Sequence, residues 1–314
     1  MSDKSLDNFG RLRDEMNRFP PAVFENFEES QELMPKALST VQMEDWAQRG
    51  INLAEQTVRS WEAAAHFYKV SPAVIGSMPY SYFVKWMDCG SNLCEESPTL
   101  AAAYFEASPE TMNKLRSRHI ESWASLGDSL YKGTWKSSTL ACKFFAESPG
   151  LLENLSFQEL ERFAGFLDKL SHRSYDLSTE CLGLAQQIFP LIGSEKEAFL
   201  TLSSTLVESG WREVKSFFEA GAKALPKIQS EERLRFLKLA ESLVKNGGSN
   251  IPGTMWDIST SLSQLDVEHH SLVLSLSERL LDEEVLAMPE FIKSAPIVME
   301  KLTVSQLGRW FEQG

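Results

Sequence analysis

The segments WAQRGINL, WMDCGSNL and WASLGDSL, opened by Trp46, Trp86 and Trp123, carry one pattern: Gly follows Trp by four residues and Leu follows it by seven. Those offsets place Trp, Gly and Leu on one face of an α-helix. A glycine inside a helix costs about 1 kcal/mol relative to alanine. Its return in every copy predicts close helix–helix approach, with Trp and Leu packed around it. A unit of this kind cannot bury its apolar face alone, so copies must stack on one another.

A second signal follows each copy. His66-Phe67-Tyr68, Ala103-Tyr104-Phe105 and Lys143-Phe144-Phe145 close apolar segments that run into Ser71-Pro72, Ser108-Pro109 and Ser148-Pro149. Serine caps helix N-termini and proline suits the first helical position, so each Ser-Pro is expected to open a new short helix or turn. Met78, Leu115 and Leu155 come six residues after the prolines, and Trp86, Trp123 and Phe163 eight residues later. The repeat length is 37–40 residues. Fainter copies continue through Phe199, Leu206, Phe217-Phe218, Ile228, Phe236 and Leu243, then Phe291, Pro296, Leu302 and Trp310. Upstream, Phe27 and Leu38 keep the spacing to Trp46.

No run of alternating β-branched residues suggests a sheet. The expected fold is all-α: an α-solenoid of about eight helical repeats, a superhelix in the manner of HEAT, armadillo or tetratricopeptide arrays. Residues 1–42 would supply N-terminal capping helices. The landmark-bearing repeats would fill 43–245. Degenerate repeats would occupy 246–314, beginning with the loop-like NGGSNIPGTMW. The closing WFEQG repeats the Trp-x-x-x-Gly opening, so the chain is expected to stop just inside a further unit and to be the N-terminal part of a longer protein.

Composition narrows the function. With 43% hydrophobic and 24% charged residues and a mean hydropathy of −0.23, the chain has material for a large core. Lys plus Arg is 31 against 44 Asp plus Glu, a formal charge of −13. That disfavours nucleic acid, which draws on a cationic surface, and docking on an anionic membrane. Four cysteines do not make a disulfide framework. The charged, polar N-terminus lacks a signal-peptide core, and no stretch approaches about 18 apolar residues. A cytoplasmic protein is expected, in which the Asn154-Leu-Ser156 sequon has no meaning.

No catalytic, cofactor or metal constellation emerges. Asp257-Ile-Ser259-Thr-Ser261 matches the D-x-S-x-S element of metal-dependent adhesion sites, but no buried strand precedes it. Asp257 reads as a helix cap, with Ser259 and Ser261 on the helix. His66, His119, His172, His269 and His270 fall in no zinc spacing, and His269-His270 reads as a solvated turn. Cys89, Cys94, Cys142 and Cys181 read as buried small hydrophobes. The acidic runs at Glu25, Glu28 and Glu29, at Glu95-Glu96 and at Asp282-Glu283-Glu284 read as solvated faces. No phosphate-binding glycine loop occurs, and 246–250 is a plain loop.

What remains are interaction anchors. Trp61, Trp135 and Trp211 sit near the starts of second helices, where tryptophan can serve as a binding hot spot. Lys114, Arg116, Arg118 and His119 form a local basic cluster, with Arg162 in the neighbouring unit.

The W-x-x-x-G-x-x-L helix, the aromatic pair and the Ser-Pro spacing resemble a helical-repeat region of bacterial von Willebrand A-type proteins, the NorD-like proteins. The resemblance covers most of residues 43–165. It implies a von Willebrand domain C-terminal to this region and a MoxR-type AAA+ ATPase, or its client, as partner. The expected function is a non-catalytic protein–protein interaction scaffold. An enzyme or small-molecule binder with a concave-face site is the alternative, and HEAT-like nucleic-acid binding is third.

Overall fold

The computed structural model describes residues 3–34, 38–134, 137–245, 258–262 and 264–283, with positions 297, 301, 303, 305, 306 and 309. Among the described residues the structure is helical and contains no strand. The chain forms two compact units, Met1–Glu161 and Arg162–Gly314. Trp135, Asp257, Phe291, Pro296, Leu302, Trp310 and the 246–256 loop lie outside the described residues.

The first unit begins with α1 (Asp3–Met16), α2 (Pro21–Leu33), α3 (Thr40–Glu55) and α4 (Ser60–Ser77). It continues through α5 (Tyr80–Glu96), α6 (Pro98–Lys114), a 3₁₀ turn (Ser117–His119), α7 (Ile120–Gly133) and α8 (Ser138–Asn154) to the start of α9 (Phe157–Ser171). The helices form two rows. In one row α2 packs on α4, α4 on α6 and α6 on α8; in the other, α1 packs on α3, α3 on α5 and α5 on α7. The hairpins α3–α4, α5–α6 and α7–α8 tie the rows together. Asn26 and Ser30 of α2 donate to the carbonyls of Ala65 and Tyr68 of α4, so neighbours in a row run in the same direction. Residues 1–42 thus supply another helix pair of the same stack.

The repeated residues explain the stacking. Trp46, Trp86 and Trp123 are fully buried. A Cβ built at Gly50, Gly90 or Gly127 would lie well inside contact distance of the ring of Tyr68, Phe105 or Phe145. The glycine therefore admits the second aromatic of the following helix, edge-on to the tryptophan one turn before it. Tyr68, Phe105 and Phe145 meet Trp46, Trp86 and Trp123 at 5.1, 5.1 and 5.0 Å in T-shaped pairs. Such pairs add about 0.5–1.5 kcal/mol beyond burial. The first aromatic of the first two pairs reaches the next tryptophan: Phe67 stacks on Trp86 and Tyr104 packs on Trp123. With Phe9 on Phe27 and Phe27 on Trp46, the rings form a continuous spine through the unit.

The Ser-Pro pairs do not open helices. Pro72, Pro109 and Pro149 lie inside α4, α6 and α8, and the chain breaks instead at Met78, Leu115 and Leu155, which are extended. Each serine is buried, and its hydroxyl donates to the carbonyl four residues back: Ser71 to Phe67, Ser108 to Tyr104 and Ser148 to Phe144, at 2.5–2.7 Å. An interior proline removes the hydrogen bond to the carbonyl four residues before it. For Pro72 that carbonyl is Tyr68, and it accepts from Ser30 at 2.5 Å. Apolar positions beyond the proline, such as Val74, Ile75, Met112 and Leu151, remain buried and hold the helix to its neighbours. Tertiary packing overrides the local signal, so each repeat is two helices. α5 and α9 start two residues after the break, and reciprocal capping boxes at Ser39–Gln42 and Ser156–Glu159 open α3 and α9.

Ion pairs cross from one unit of the repeat to the next. Arg49 pairs with Asp88, Lys85 with Glu121, Lys132 with Glu96 and Lys114 with Glu153. Exposed pairs of this kind contribute about 0–1 kcal/mol each.

The second unit holds the rest of α9, α10 (Tyr175–Ile188), α11 (Lys196–Gly210), a 3₁₀ turn (Trp211–Glu213), α12 (Val214–Ala224), α13 (Ser230–Lys245) and α14 (Val267–Glu283). Again α10 packs on α12, α11 on α13, and α13 on α14. The fainter landmarks Phe163, Phe199, Leu206, Phe217, Phe218, Ile228, Phe236 and Leu243 are all buried. Their rings join through Phe163–Phe189, Phe189–Phe199 and Phe199–Phe218. Ion pairs Lys169–Glu208, Lys215–Glu180 and Arg235–Glu278 span about one repeat. His269-His270 is not a solvated turn. Both lie in the first turns of α14, and His270 is buried, with Nε2 3.1 Å from the Leu265 carbonyl. His270 shares the helical face of Val273, Leu274, Ser277 and Leu281, and burial of that face carries it inward.

Candidate functional site

The basic cluster of the sequence lies on the connection between α6 and α7. Leu115 is extended and buried, and it turns the chain out of α6. Arg116 then precedes the 3₁₀ turn, closed by the His119 N–H donating to the Arg116 carbonyl at 2.9 Å. This short turn exposes Arg116 and Arg118 on either side of Ser117. The facing wall comes one repeat later, from Leu152, Leu155, Ser156, Phe157, Gln158 and Glu161 at the α8–α9 connection. Between the two connections runs a groove of 560 Å³. Concave ligand sites span roughly 300–1,000 Å³.

The groove has an ordered inner edge. The His119 ring stacks on Phe157 with centroids 4.3 Å apart and planes 26° from parallel. Arg118 Nε donates to His119 Nε2 at 3.1 Å, which leaves the imidazole proton on Nδ1. Burial, together with the nearby Arg118 guanidinium, holds His119 below its ordinary value. It therefore presents a neutral aromatic surface at pH 7 rather than a third cation.

Lys114 plays a different part from the arginines. Its ammonium donates to the Pro149 carbonyl at 2.9 Å and to Glu153 at 2.7 Å, so it is spent in tying α6 to α8. Arg116 and Arg118 have no carboxylate partner among the described residues. Arg162 belongs to the second unit, where it pairs with Glu197 and lines a 360 Å³ groove with Lys169, Thr201, Ser204 and Glu208. The far wall of the basic groove has no motif in the sequence, because Leu152, Phe157 and Glu161 carry no chemical signature. The repeat itself held the clue, since stacked units bring residues about 40 positions apart together.

The tryptophan anchors separate. Trp61, the second residue of α4, is 40% exposed, near the fully open Val58. Trp211 is half-buried in its 3₁₀ turn, with the Arg212 guanidinium 5.2 Å from the ring. Cys94 and Cys181 are buried, whereas Cys89 and Cys142 are half-buried rather than enclosed. Burial raises all four thiols, Cys89 up to about 11 and Cys94 up to about 12, which removes the thiolate character a nucleophile needs. Among the described residues no group of three or more His, Cys, Asp or Glu is placed to hold a metal ion. Ser259 and Ser261 of the D-x-S-x-S element are buried on the helical segment 258–262. Among the described residues no helix is long and apolar enough to cross a membrane.

The fold and the groove together define an all-α helical-repeat protein. Comparison with family models, curated proteins and solved structures finds no match to this chain.

Proposed function

We propose that this protein is a non-catalytic protein–protein interaction scaffold acting in the cytoplasm. One observation carries the reading. What recurs from unit to unit is spent on the interior: the tryptophan, the glycine that admits a ring, the aromatic pair and the buried serine. What differs from unit to unit lies on the surface, as at the α6–α7 turn. Repeat arrays divide labour in this way, with a common core and a variable face that binds. The W-x-x-x-G-x-x-L spacing supports a narrower version: a bacterial, NorD-like N-terminal adaptor working with a MoxR-type AAA+ ATPase or that enzyme's client.

Affinity capture from the native cytoplasm, with residues 1–314 as bait and quantitative mass spectrometry, tests this. The expected result is a stoichiometric protein partner that is lost at moderate salt. A AAA+ ATPase among the captured proteins supports the narrower version. Failure to retain any protein at low salt overturns the scaffold reading.

A further inference from the structure

The groove between the α6–α7 and α8–α9 connections combines three properties. First, its charge is not required by the repeat. Counting one, three and four residues past the helix break gives Arg116, Arg118 and His119 here. The same positions are Ser39, Val41 and Gln42 after Leu38, Pro79, Ser81 and Tyr82 after Met78, and Ser156, Gln158 and Glu159 after Leu155. Those connections carry no cation at the three positions, so the two arginines are not needed to make this one.

Second, both guanidiniums stand without a carboxylate partner among the described residues, in a chain of net charge −13. Arg49, Lys85 and Lys132 in the same unit all have one. Third, the wall beneath them carries an apolar strip among its polar residues. Leu152 and Phe157 are half-buried against the buried Leu115 and Leu155, and the His119–Phe157 stack continues this surface. Glu161 lies on the same wall, and Glu153, beside it, is taken by Lys114.

We infer that this groove takes an acidic peptide segment of a partner protein. Arg116 and Arg118 hold its carboxylates, and an interleaved apolar side chain lies against Leu152 and Phe157. The planar guanidinium matches a carboxylate with two parallel hydrogen bonds, and clustered arginines are a recurring means of reading acidic motifs. A free phosphate fits the groove less well. At the start of α9 the Ser156 and Glu159 amides are already taken by their capping box, and Glu161 opposes a dianion. A polynucleotide would face the whole chain's negative charge. The assignment rests on the scaffold reading and gives it a partner chemistry.

The test uses the full chain and fluorescence anisotropy. The probe is a fluorescein-labelled twelve-residue peptide of alternating glutamate and leucine; its glutamine–leucine counterpart is the control. The wild type is expected to bind the glutamate peptide and to lose affinity between about 50 and 300 mM salt, as screening shortens the reach of the charges. Arg116→Glu/Arg118→Glu is expected to weaken binding at least tenfold, while Arg59→Glu, also on an exposed turn of this unit, leaves it within about twofold. Thermal melts by circular dichroism confirm that each variant is folded. No binding by the wild type, equal binding by the glutamine peptide, or equal loss from Arg59→Glu overturns the assignment. So does stronger competition by inorganic phosphate or a single-stranded oligonucleotide than by unlabelled peptide. Affinity capture run in parallel keeps the two readings apart: partners retained by both wild type and the double variant overturn the groove and leave the scaffold standing.

Discussion

Replacing Gly90 with alanine adds one methyl group, and the structure determines both the sign and the size of the effect. In an open helix the change stabilises by about 1 kcal/mol, because alanine restricts the unfolded chain and favours the helix. Gly165, on an exposed turn of α9, is such a site: a Cβ there meets nothing within 4 Å. At Gly90 the new carbon overlaps two atoms of the Phe105 ring and presses on a third. That ring is fully buried and cannot retreat freely, since Trp86, Phe67 and Tyr104 lie 5.1, 5.5 and 5.5 Å from its centre. Overpacking of a tight core costs about 1–3 kcal/mol, and an overlap boxed in by three rings belongs at the upper end. Subtracting the helix gain leaves Gly90→Ala destabilising by about 2 kcal/mol, against about 1 kcal/mol of stabilisation for Gly165→Ala. Urea unfolding followed by circular dichroism and tryptophan fluorescence reads both from the midpoint at constant slope. Phe105→Leu should relieve the overlap, so in a double-mutant cycle it is expected to recover about 1 kcal/mol of the Gly90→Ala loss. A Gly90→Ala midpoint that rises as far as that of Gly165→Ala would refute the glycine's role as the seat of the ring.

Other changes probe the same core and its titration. Trp123→Ala should destabilise by about 3–5 kcal/mol, as large core truncations do, and a loss below about 1 kcal/mol in urea would contradict its place in the spine. Ser108 accepts from Trp86 Nε1 at 2.8 Å while donating to the Tyr104 carbonyl. Ser108→Ala strands that buried indole N–H at a cost of about 1–3 kcal/mol, and Trp86→Phe in the same background should remove part of the penalty. Burial lifts the Cys89 thiol from 9.0 up to about 11 and Cys94 up to about 12, so the folded chain holds these protons more tightly than the unfolded one. Their stabilising effect is complete below pH 9 and is lost as pH rises from about 9 to 12. The urea midpoint should be level from pH 7 to 8.5 and fall above 9, with a shallower fall in Cys94→Ala; a midpoint that climbs over this interval would reverse the assigned direction.

The basic groove shows where a chemical reading of residues stops. Arg116 and Arg118 were visible as a cluster, but nothing in composition distinguished them from Lys114. The difference is one of partners. Lys114 ends α6 within hydrogen-bonding distance of α8, whereas the arginines sit on an exposed turn and form no ion pair with a carboxylate among the described residues. Phe157 and Leu152 became part of the site only because stacking set the two connections side by side.

Periodicity alone determined the helical-repeat class, the buried tryptophans and the aromatic pairs, because a face that returns at helical spacing has to be covered by its neighbour. It also singled out the glycines, though it assigned them to helix–helix approach rather than to a ring. The tertiary structure decided what local propensity gets wrong. Ser-Pro reads as a helix start in isolation, yet the helix runs through it: the serine hydroxyl bonds the carbonyl behind it, at Tyr68 a neighbouring serine takes the carbonyl freed by the proline, and the apolar residues beyond remain packed. Likewise His270 is drawn inward by the face it shares with Val273 and Leu274. A capping preference is worth about 1 kcal/mol, and burying the remainder of an apolar helix face is worth several times that, so the packed arrangement wins.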